Sequence, residues 1–153
     1  MIIQRRRFNL GLAAAGTAAL AAGTARAQAK VLRFGHLHSV DSPVHKGIAK
    51  AAEEIEKATQ GRYKINIFPS SQLGAAREMV SQVIDGALDF ISEGPGSLSN
   101  LNRALSFFEA PFVSRDWNHV LKMLDAPFGR AQVAQLAAER NMVHVGTFYY
   151  GVR

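Results

Sequence analysis

The sequence predicts an α/β fold with a mainly parallel, doubly wound sheet. Short segments with strand-type character alternate with longer segments in which apolar residues recur every three or four positions. Their order, β-α-β-α-β-α-α-β, is typical of a parallel sheet with helices packed on it. The hydrophobic content of 48% supports an adequate core. We therefore expect strand one at the centre of the sheet, next to strands two and three.

The first strand and the first helix are predicted close to the start of this pattern. Val31 to His36 is largely apolar and is predicted as a strand, with Gly35 near its end. Ser42 can cap a helix and Pro43 suits the first helical position. Gly61 fits the end of this helix. Its inward face is predicted from the apolar residues at helical spacing, which are Val44, Ile48, Ala51, Ala52, Ile55 and Ala58.

The second strand and helix follow in the same way. Tyr63 to Phe68 alternates apolar and polar residues and is predicted as a strand, and Pro69 ends it because proline has no N–H for strand pairing. A polar loop leads to a helix from about Ala75 to Asp85. Its apolar face carries Met79, Val80, Val83 and Ile84. Leu88 to Ser92 is predicted as a short third strand, and residues 93–97 as a loop.

The last third of the chain is predicted to add two helices and a strand. Leu105 to Val113 is apolar but broken by Pro111, which fits an edge strand or a packed loop. One helix begins at residues 114–116, and another runs from Phe128 to Asn141 with Val133, Leu136 and Ala137 buried. Val143 to Tyr150 is predicted as a strand. The sequence stops directly after it, which we interpret as a truncation rather than a natural C-terminus.

Residues 1–27 are predicted to be an export signal. Arg5, Arg6 and Arg7 precede an uncharged segment rich in Ala, Gly and Leu, and Ala25-Arg26-Ala27 fits a cleavage site before Gln28. The paired arginines followed by Phe8 match the twin-arginine form, although Gln4 and Asn9 depart from the usual pattern. The alternative, a membrane anchor, is disfavoured because the segment is short and weakly hydrophobic.

The charge and the cysteine content exclude several classes of function. The chain has 18 Lys and Arg against 12 Asp and Glu. Four of the arginines lie within residues 1–27, so 14 basic residues remain against 12 acidic ones, a net charge of +2. This gives no reason to expect nucleic-acid binding, which needs a clustered basic face. The absence of cysteine excludes cysteine-based catalysis, thiolate metal sites and disulfides.

The junction between the second strand and the second helix is the first candidate for a binding site. Open α/β sheets bind ligands where a strand ends in a polar loop that leads into a helix. Spare backbone N–H groups at the start of the helix suit an anionic group. A plain structural connection is the alternative for such a junction, so the particular residues have to decide.

Those residues resemble a known family. The chain is similar to the extracytoplasmic solute-binding subunits of tripartite ATP-independent periplasmic (TRAP) transporters, of the DctP type. The similar pieces occur in the family's order and spacing: Leu32-Arg33-Phe34-Gly35-His36, Asp41-Ser42-Pro43, Phe68-Pro69-Ser70-Ser71-Gln72-Leu73-Gly74, Arg77-Glu78-Met79, Gly86-Ala87-Leu88-Asp89-Phe90, Pro111-Phe112-Val113-Ser114-Arg115-Asp116 and Gly151-Val152-Arg153.

The resemblance implies a fold and a function. The family has a periplasmic-binding-protein-like (type II) fold with two α/β lobes, and its members are about twice as long as this chain. Residues 28–153 are then expected to form the first part of lobe one, with the C-terminal half and the second lobe absent. The implied function is to capture a small organic acid in the periplasm and deliver it to the membrane permease, without catalysis and without a cofactor or metal.

The resemblance and the predicted loops together suggest the ligand-binding residues. Arg153 aligns with an arginine that assists at the substrate carboxylate in several members, and guanidinium suits a carboxylate. The family's main arginine, in a Lys-Ile-Arg-Val-like motif, has no counterpart here. Residues near the predicted strand ends complete the expected site: Gln72, Arg77, Ser92, Glu93, His36 and His38.

Purely structural roles are an alternative for these residues, and other functions are an alternative for the chain. Arg77 is equally suited to a solvated helix face, and Glu93 to capping a neighbouring helix. His36, His38 and His45 invite a metal interpretation, but exposed or hydrogen-bonded histidines are favoured over it. The rival functions are an exported enzyme, including a metal-dependent one, a sensor domain and a non-functional gene fragment. An enzyme is disfavoured because we find no nucleophile–base signature, His-Glu-x-x-His spacing or phosphate loop.

Overall fold

The computed structural model describes residues 28–148. The predicted export signal and Arg153 lie outside the described residues. The elements, in chain order, are β1 (Lys30–His36), α1 (Pro43–Ala58), β2 (Tyr63–Phe68), α2 (Ala76–Ile84), β3 (Phe90–Ser92), two 3₁₀ helices (Pro95–Leu98 and Arg103–Glu109), α3 (Trp117–Asp125) and α4 (Pro127–Arg140).

The three strands form a parallel sheet in the order β2-β1-β3. Phe34 of β1 lies opposite Ile67 of β2 on one side and opposite Phe90 of β3 on the other. The predicted α/β fold with a central first strand is therefore confirmed. Because the strands are parallel, their carboxyl ends meet at one edge of the sheet, where His36 lies opposite Ser92.

Two helices begin where the sequence predicts, because their first turns are capped. The hydroxyl of Ser42 accepts a hydrogen bond of 3.1 Å from the backbone N–H of His45, and Pro43 takes the first position of α1. At the start of α3, the carboxylate of Asp116 accepts from the N–H of His119 at 2.7 Å. Caps of this kind supply hydrogen-bond acceptors to the first backbone N–H groups of a helix, which have no partner within the helix.

The core has two parts. One cluster joins α2, the second 3₁₀ helix and α4, and consists of Val80, Leu105, Phe108, Leu136 and Met142. The other lies against β1, where Met79 and Leu88 are fully buried over Gly35. A Cβ atom at Gly35 would lie 2.8 Å from the sulfur of Met79, so the close packing depends on the missing side chain.

Some predictions about individual segments are wrong. Residues 143–148 of the predicted strand Val143–Tyr150 form no strand, and the side chains of Val143 and Val145 are exposed. None of the three strands among the described residues pairs with this segment, and strand-type alternation alone cannot supply a partner. Leu105 to Val113 is neither an edge strand nor a simple loop, because Arg103–Glu109 forms a 3₁₀ helix.

The expected inward faces of the helices are only partly buried. Val44 is buried in α1 and Leu136 in α4, but several residues expected inside are exposed: Ala51, Ile55, Ala58 and Ala137. An amphipathic helix buries its apolar face only where another element packs against it. None of the helices in residues 28–148 has the length and apolar character needed to cross a bilayer.

Candidate ligand-binding edge of the sheet

The carboxyl edge of the sheet brings together most of the predicted site residues. His36 and Ser92 end β1 and β3, and the loops that follow carry His38 and Glu93. The loop after β2 carries Gln72, and Arg77 lies in the first turn of α2. Arg153 lies outside the described residues, so its role at the substrate carboxylate, which the family resemblance implies, stays a prediction.

The loop after β2 contains a strained, tightly held turn. Ser70 and Ser71 have φ angles of 52° and 60°, and the N–H of Gln72 donates to the carbonyl of Pro69 at 3.1 Å. Two positive φ angles within this hydrogen bond define a type I′ turn, which favours Gly, Asn or Asp over Ser. Non-glycine residues in this region persist only where the surrounding structure enforces them, and such strain clusters at functional sites.

The surrounding structure enforces this turn through the segment that follows β1. The N–H of Ser70 donates to the carbonyl of His38 at 2.9 Å, and the N–H of Ser71 donates to the carbonyl of His36 at 3.2 Å. These two N–H groups are therefore engaged within the fold and are not spare donors for an anion. The loop after β2 is bonded directly to the loop after β1.

The start of α2 is also less open to an anion than the sequence suggests. The carboxylate of Glu78 accepts a hydrogen bond of 2.9 Å from the N–H of Ala75, the residue that precedes the helix. Gly74, at φ 110°, lets Glu78 approach this closely. The side chain of Gln82 donates to the carbonyl of Leu73 at 2.7 Å and ties the loop to the helix. A carboxylate of the chain itself already occupies the helix N-terminus.

Gln72 and Arg77 are exposed on this loop and helix. Both lie at the carboxyl edge, so they are open to a ligand at the sheet surface. The exposure of Arg77 is equally compatible with a solvated helix face.

His36 is fully buried, and both of its ring nitrogens are engaged. Its Nδ1 accepts from the backbone N–H of His38 at 3.2 Å, and its Nε2 lies 3.0 Å from Nδ1 of His45. Burial, with a further contribution from the charges of His45 and His38, lowers the pKa of His36 below its ordinary value, although a hydrogen bond with the backbone of His38 partly opposes this. A ring in this position has no nitrogen left for a ligand.

The end of β3 has a different character. Ser92 is buried, and its hydroxyl has no hydrogen-bond partner among the described residues. The neighbouring Glu93 accepts a hydrogen bond of 3.0 Å at Oε2 from the hydroxyl of Ser97, while its buried Oε1 has no partner in the described part of the chain. Buried oxygens without partners are costly, so each requires an explanation.

A second carboxylate lies beside Glu93. Burial and the negative charge of Glu109 raise the pKa of Glu93, whereas the hydrogen bond from Ser97 opposes that rise. Glu109 approaches because Gly94 and Gly96 have no side chains: a Cβ atom on either would collide with its carboxylate. Glu109 is not among the predicted site residues, because it lies in the segment for which the sequence fits either an edge strand or a packed loop. The two glycines are the local signal of a close approach.

Arg33 and Asp89 have structural roles at the opposite end of the β1–β3 pair. The carboxylate of Asp89 accepts from the N–H of Arg33 at 2.7 Å, and the guanidinium of Arg33 donates to the carbonyl of Ala87 at 2.6 Å. These bonds fix the entry into β3. Ala87 and Asp89 of the Gly86-Ala87-Leu88-Asp89 motif therefore have a structural role that does not involve a ligand.

Two cavities in the described part of the chain lie away from this edge. One of about 590 Å³ is apolar and is lined by Phe107, Phe108 and Phe128, and another of about 480 Å³ lies between α3, α4 and residues 143–147. Neither is lined by a predicted site residue. Within residues 28–148, no group of three or more His, Asp or Glu side chains is placed to hold a metal ion.

A parallel sheet that gathers polar loops and unpartnered buried oxygens at its carboxyl edge is typical of α/β ligand-binding domains. The chain belongs to one such family, because the family model of bacterial extracellular solute-binding protein, family 7, matches residues 34–153. This confirms the resemblance found in the sequence. The family comprises binding proteins rather than enzymes.

Individual relatives support the assignment. The chain is 34% identical over 122 residues to the 2,3-diketo-L-gulonate-binding periplasmic protein YiaO of Escherichia coli (strain K12), covering 80% of this chain and 35% of that protein. A TRAP periplasmic solute binding protein from Polaromonas sp. JS666, bound to D-erythronate, is 34% identical with a TM-score of 0.64, covering 71% of this chain and 36% of that one.

A third relative has a different ligand. A TRAP periplasmic solute binding protein from Desulfovibrio salexigens, with bound orotic acid, is 30% identical with a TM-score of 0.64, covering 71% of this chain and 35% of that one. The chain thus spans about a third of the length of these relatives.

Proposed function

We propose that this chain is part of an extracytoplasmic solute-binding protein of a TRAP transporter, which captures a small organic acid and delivers it to the membrane permease. The observation that carries the proposal is the family match over residues 34–153. The ligands of these relatives, 2,3-diketo-L-gulonate, D-erythronate and orotic acid, are all organic acids. The protein is proposed to act by binding alone, without a cofactor.

The length of the relatives supports a two-lobed organisation. Residues 28–153 would form the first part of lobe one of a two-lobed protein, behind an export signal at residues 1–27 that uses the twin-arginine route. Large apolar side chains exposed on the described part support a further covering element: Phe107, Phe112, Phe128, Val143 and Val145.

The proposed ligand site lies at the end of β3 and on the loop after β2. The buried oxygens of Ser92 and Glu93 are suited to the hydroxyl groups of a hydroxy acid, since each oxygen lacks a partner within the described chain. The guanidinium groups of Arg77 and Arg153 are suited to its carboxylate. Gln72 adds an exposed amide at the same edge.

A thermal-shift screen of the gene product that contains residues 28–153 tests this function. The panel is D-erythronate, 2,3-diketo-L-gulonate, galacturonate, succinate and orotate, with uncharged erythritol as the control. We expect saturable stabilisation by one acid class, because a ligand that binds only the folded state at about 100 times its Kd adds about 2.7 kcal/mol. A response to none of the acids would contradict the proposal.

The two-lobe proposal has its own test. Residues 28–153 alone should bind every acid of the panel weakly, because burying a carboxylate is favourable only when all its partners are in place. Strong, saturable stabilisation of this segment would show that the site lies wholly within it.

Export is tested separately. N-terminal sequencing of the periplasmic product should find Gln28 or a neighbouring residue first, and Arg5→Lys with Arg6→Lys should abolish export. An intact 1–27 segment on the periplasmic product would contradict cleavage, and export of the double variant would contradict the twin-arginine route.

A further inference from the structure

We propose that His36 is a positioning residue whose neutral ring holds the two loops of the ligand-binding edge together, and that protonation in the histidine pair opens this connection. The importance of these loops for a ligand rests on the proposed function. The connection itself rests on the hydrogen bonds of His36, His38 and His45 and can be tested without a ligand.

The hydrogen bonds define the tautomer of His36. A backbone N–H can only donate, so Nδ1 of His36, which faces the N–H of His38 at 3.2 Å, has to be the acceptor. The proton of the neutral ring is then on Nε2. It is donated to Nδ1 of His45 at 3.0 Å, which makes His45 an acceptor at Nδ1 as well. Both rings are therefore neutral, each with its proton on Nε2.

This ring connects three segments. Through Nε2 it reaches His45 in the first turn of α1, and through Nδ1 it holds the backbone of His38 after β1. The carbonyl of His36 accepts a hydrogen bond from the N–H of Ser71, and the carbonyl of His38 accepts one from the N–H of Ser70. The strained turn after β2, which precedes Gln72, is thus fastened to the backbone that the His36 ring orients.

Protonation breaks the arrangement at either ring. A proton on Nδ1 of His36 would face the N–H of His38, donor against donor, and a proton on Nδ1 of His45 would face the Nε2–H of His36. The charges of His45 from α1 and of His38 from the following loop oppose protonation of His36, whereas a hydrogen bond with the backbone of His38 has a smaller, opposite effect. No carboxylate contributes within the described chain, so an imidazolium would have no compensating charge.

The expected behaviour is a connection that is closed near neutral pH and opens in acid. Because the pKa of His36 is lowered from the ordinary value of 6.5, the ring takes up a proton at a lower pH than a free histidine does. Opening frees the N–H groups of Ser70 and Ser71 and releases strain in their turn, which displaces the loop that carries Gln72.

Nuclear magnetic resonance of the ¹⁵N-labelled protein tests this directly. Long-range ¹H–¹⁵N spectra should show His36 and His45 as neutral Nε2–H tautomers at about pH 7.5. Amide exchange at Ser70 and Ser71, corrected for its intrinsic pH dependence, should lose at least about tenfold protection between about pH 7.5 and about pH 4.5. The amide of Asp85, bonded to Ser81 in α2, is the internal control.

Two variants separate positioning from mere packing. His36→Asn keeps an acceptor near the N–H of His38, and His36→Gln keeps a donor toward His45, but neither side chain titrates. The acid-induced loss at Ser70 and Ser71 should disappear in His36→Asn, which makes no contact with His45 and should retain more protection at neutral pH. In His36→Gln, which still faces Nδ1 of His45, the loss should be smaller than in the wild type. His144→Gln, at an exposed histidine bonded to Thr147, should behave as the wild type.

Three results would overturn the proposal: an Nδ1–H or charged His36 near neutral pH, protection of Ser70 and Ser71 that does not change with pH, or an unchanged acid response in His36→Asn. If the variants do not fold, the tautomer and the pH response of the wild type decide. If no organic acid stabilises the protein in the thermal-shift screen, these results are unaffected. The proposed function and the role of His36 can therefore fail separately.

Discussion

The ends of β1 and β3 are neighbours with opposite chemistry. His36 and Ser92 lie opposite one another in the sheet, exposed by only 0% and 7%. Both nitrogens of His36 have partners, whereas the hydroxyl of Ser92 and one oxygen of Glu93 have none among the described residues. The fold completes its own hydrogen bonding at β1 and leaves donors and acceptors unused at β3. Unused buried groups lower stability, and a bound ligand can recover that cost.

The two ends also respond to pH in opposite directions. At both, burial disfavours the charged form, so the pKa of His36 is lowered and that of Glu93 is raised. Below pH 6.5 the unfolded chain binds a proton at His36 before the folded chain does, so folding is weakened as the pH falls. Above pH 4.5 the folded chain retains a proton at Glu93 that the unfolded chain loses, so folding is weakened as the pH rises.

The largest effect is expected at the packed end of β1. Gly35→Val would place methyl groups against Met79 and Leu88 and should cost about 2–3 kcal/mol of unfolding free energy. The matched control is Gly47→Ala in α1, where nothing lies within 4 Å of the new Cβ. It should add about 0.5–1 kcal/mol. Urea unfolding measures both, and equal stability of Gly35→Val and the wild type would show that this end is loosely packed.

A pair of serine variants compares a satisfied hydroxyl with an unsatisfied one. Ser42→Ala removes the cap of α1 and should cost about 1 kcal/mol. Ser92→Ala removes a buried hydroxyl without a partner and should be neutral or stabilising by up to about 1 kcal/mol. The same urea experiment decides, and a loss at Ser92→Ala as large as that at Ser42→Ala would mean that the Ser92 hydroxyl is bonded within the fold.

A smaller effect on stability is expected when the pH is lowered. The melting temperature should fall by about 2 °C as the pH falls through 6.5 toward the lowered pKa of His36, and His36→Asn should reduce this slope. Differential scanning calorimetry with His144→Gln as the control measures it. A slope that is identical in His36→Asn would assign the acid sensitivity to other groups.

The smallest effect is expected at Glu93. Glu93→Gln removes the buried charge and the repulsion from Glu109, and should raise the melting temperature by about 1 °C at neutral pH. Because Glu93 is protonated in both states in strong acid, the gain should vanish below pH 4.5. A gain that is the same at both pH values would exclude the charge as its cause.

Local signals in the sequence were sufficient for much of the fold. The capping residues Ser42 and Asp116 marked the starts of α1 and α3, and strand character marked all three strands of the sheet. The predicted strand at 143–150 is wrong for residues 143–148 because pairing depends on a partner strand, which alternation does not reveal. The closure of the α2 N-terminus by Glu78 did have a local signal, three residues after Ala75.

The candidate site was less predictable. The sequence identified the loops, but the roles of their residues depend on tertiary contacts. His36 meets His45 only because α1 packs its first turn against the end of β1, and Glu93 meets Glu109 only through the 3₁₀ helix that precedes residue 110. No rule of sequence spacing predicts either of these two contacts.

We propose that the unsatisfied end of β3 binds the organic acid and that the satisfied end of β1 supports it. Calorimetric titration of the gene product with the acid that stabilises it most, in the wild type and in Ser92→Ala with Glu93→Gln, tests this claim most directly. The double variant should remain at least as stable as the wild type and lose about tenfold or more in affinity, with His144→Gln unchanged. An unchanged affinity in the double variant would contradict the proposal.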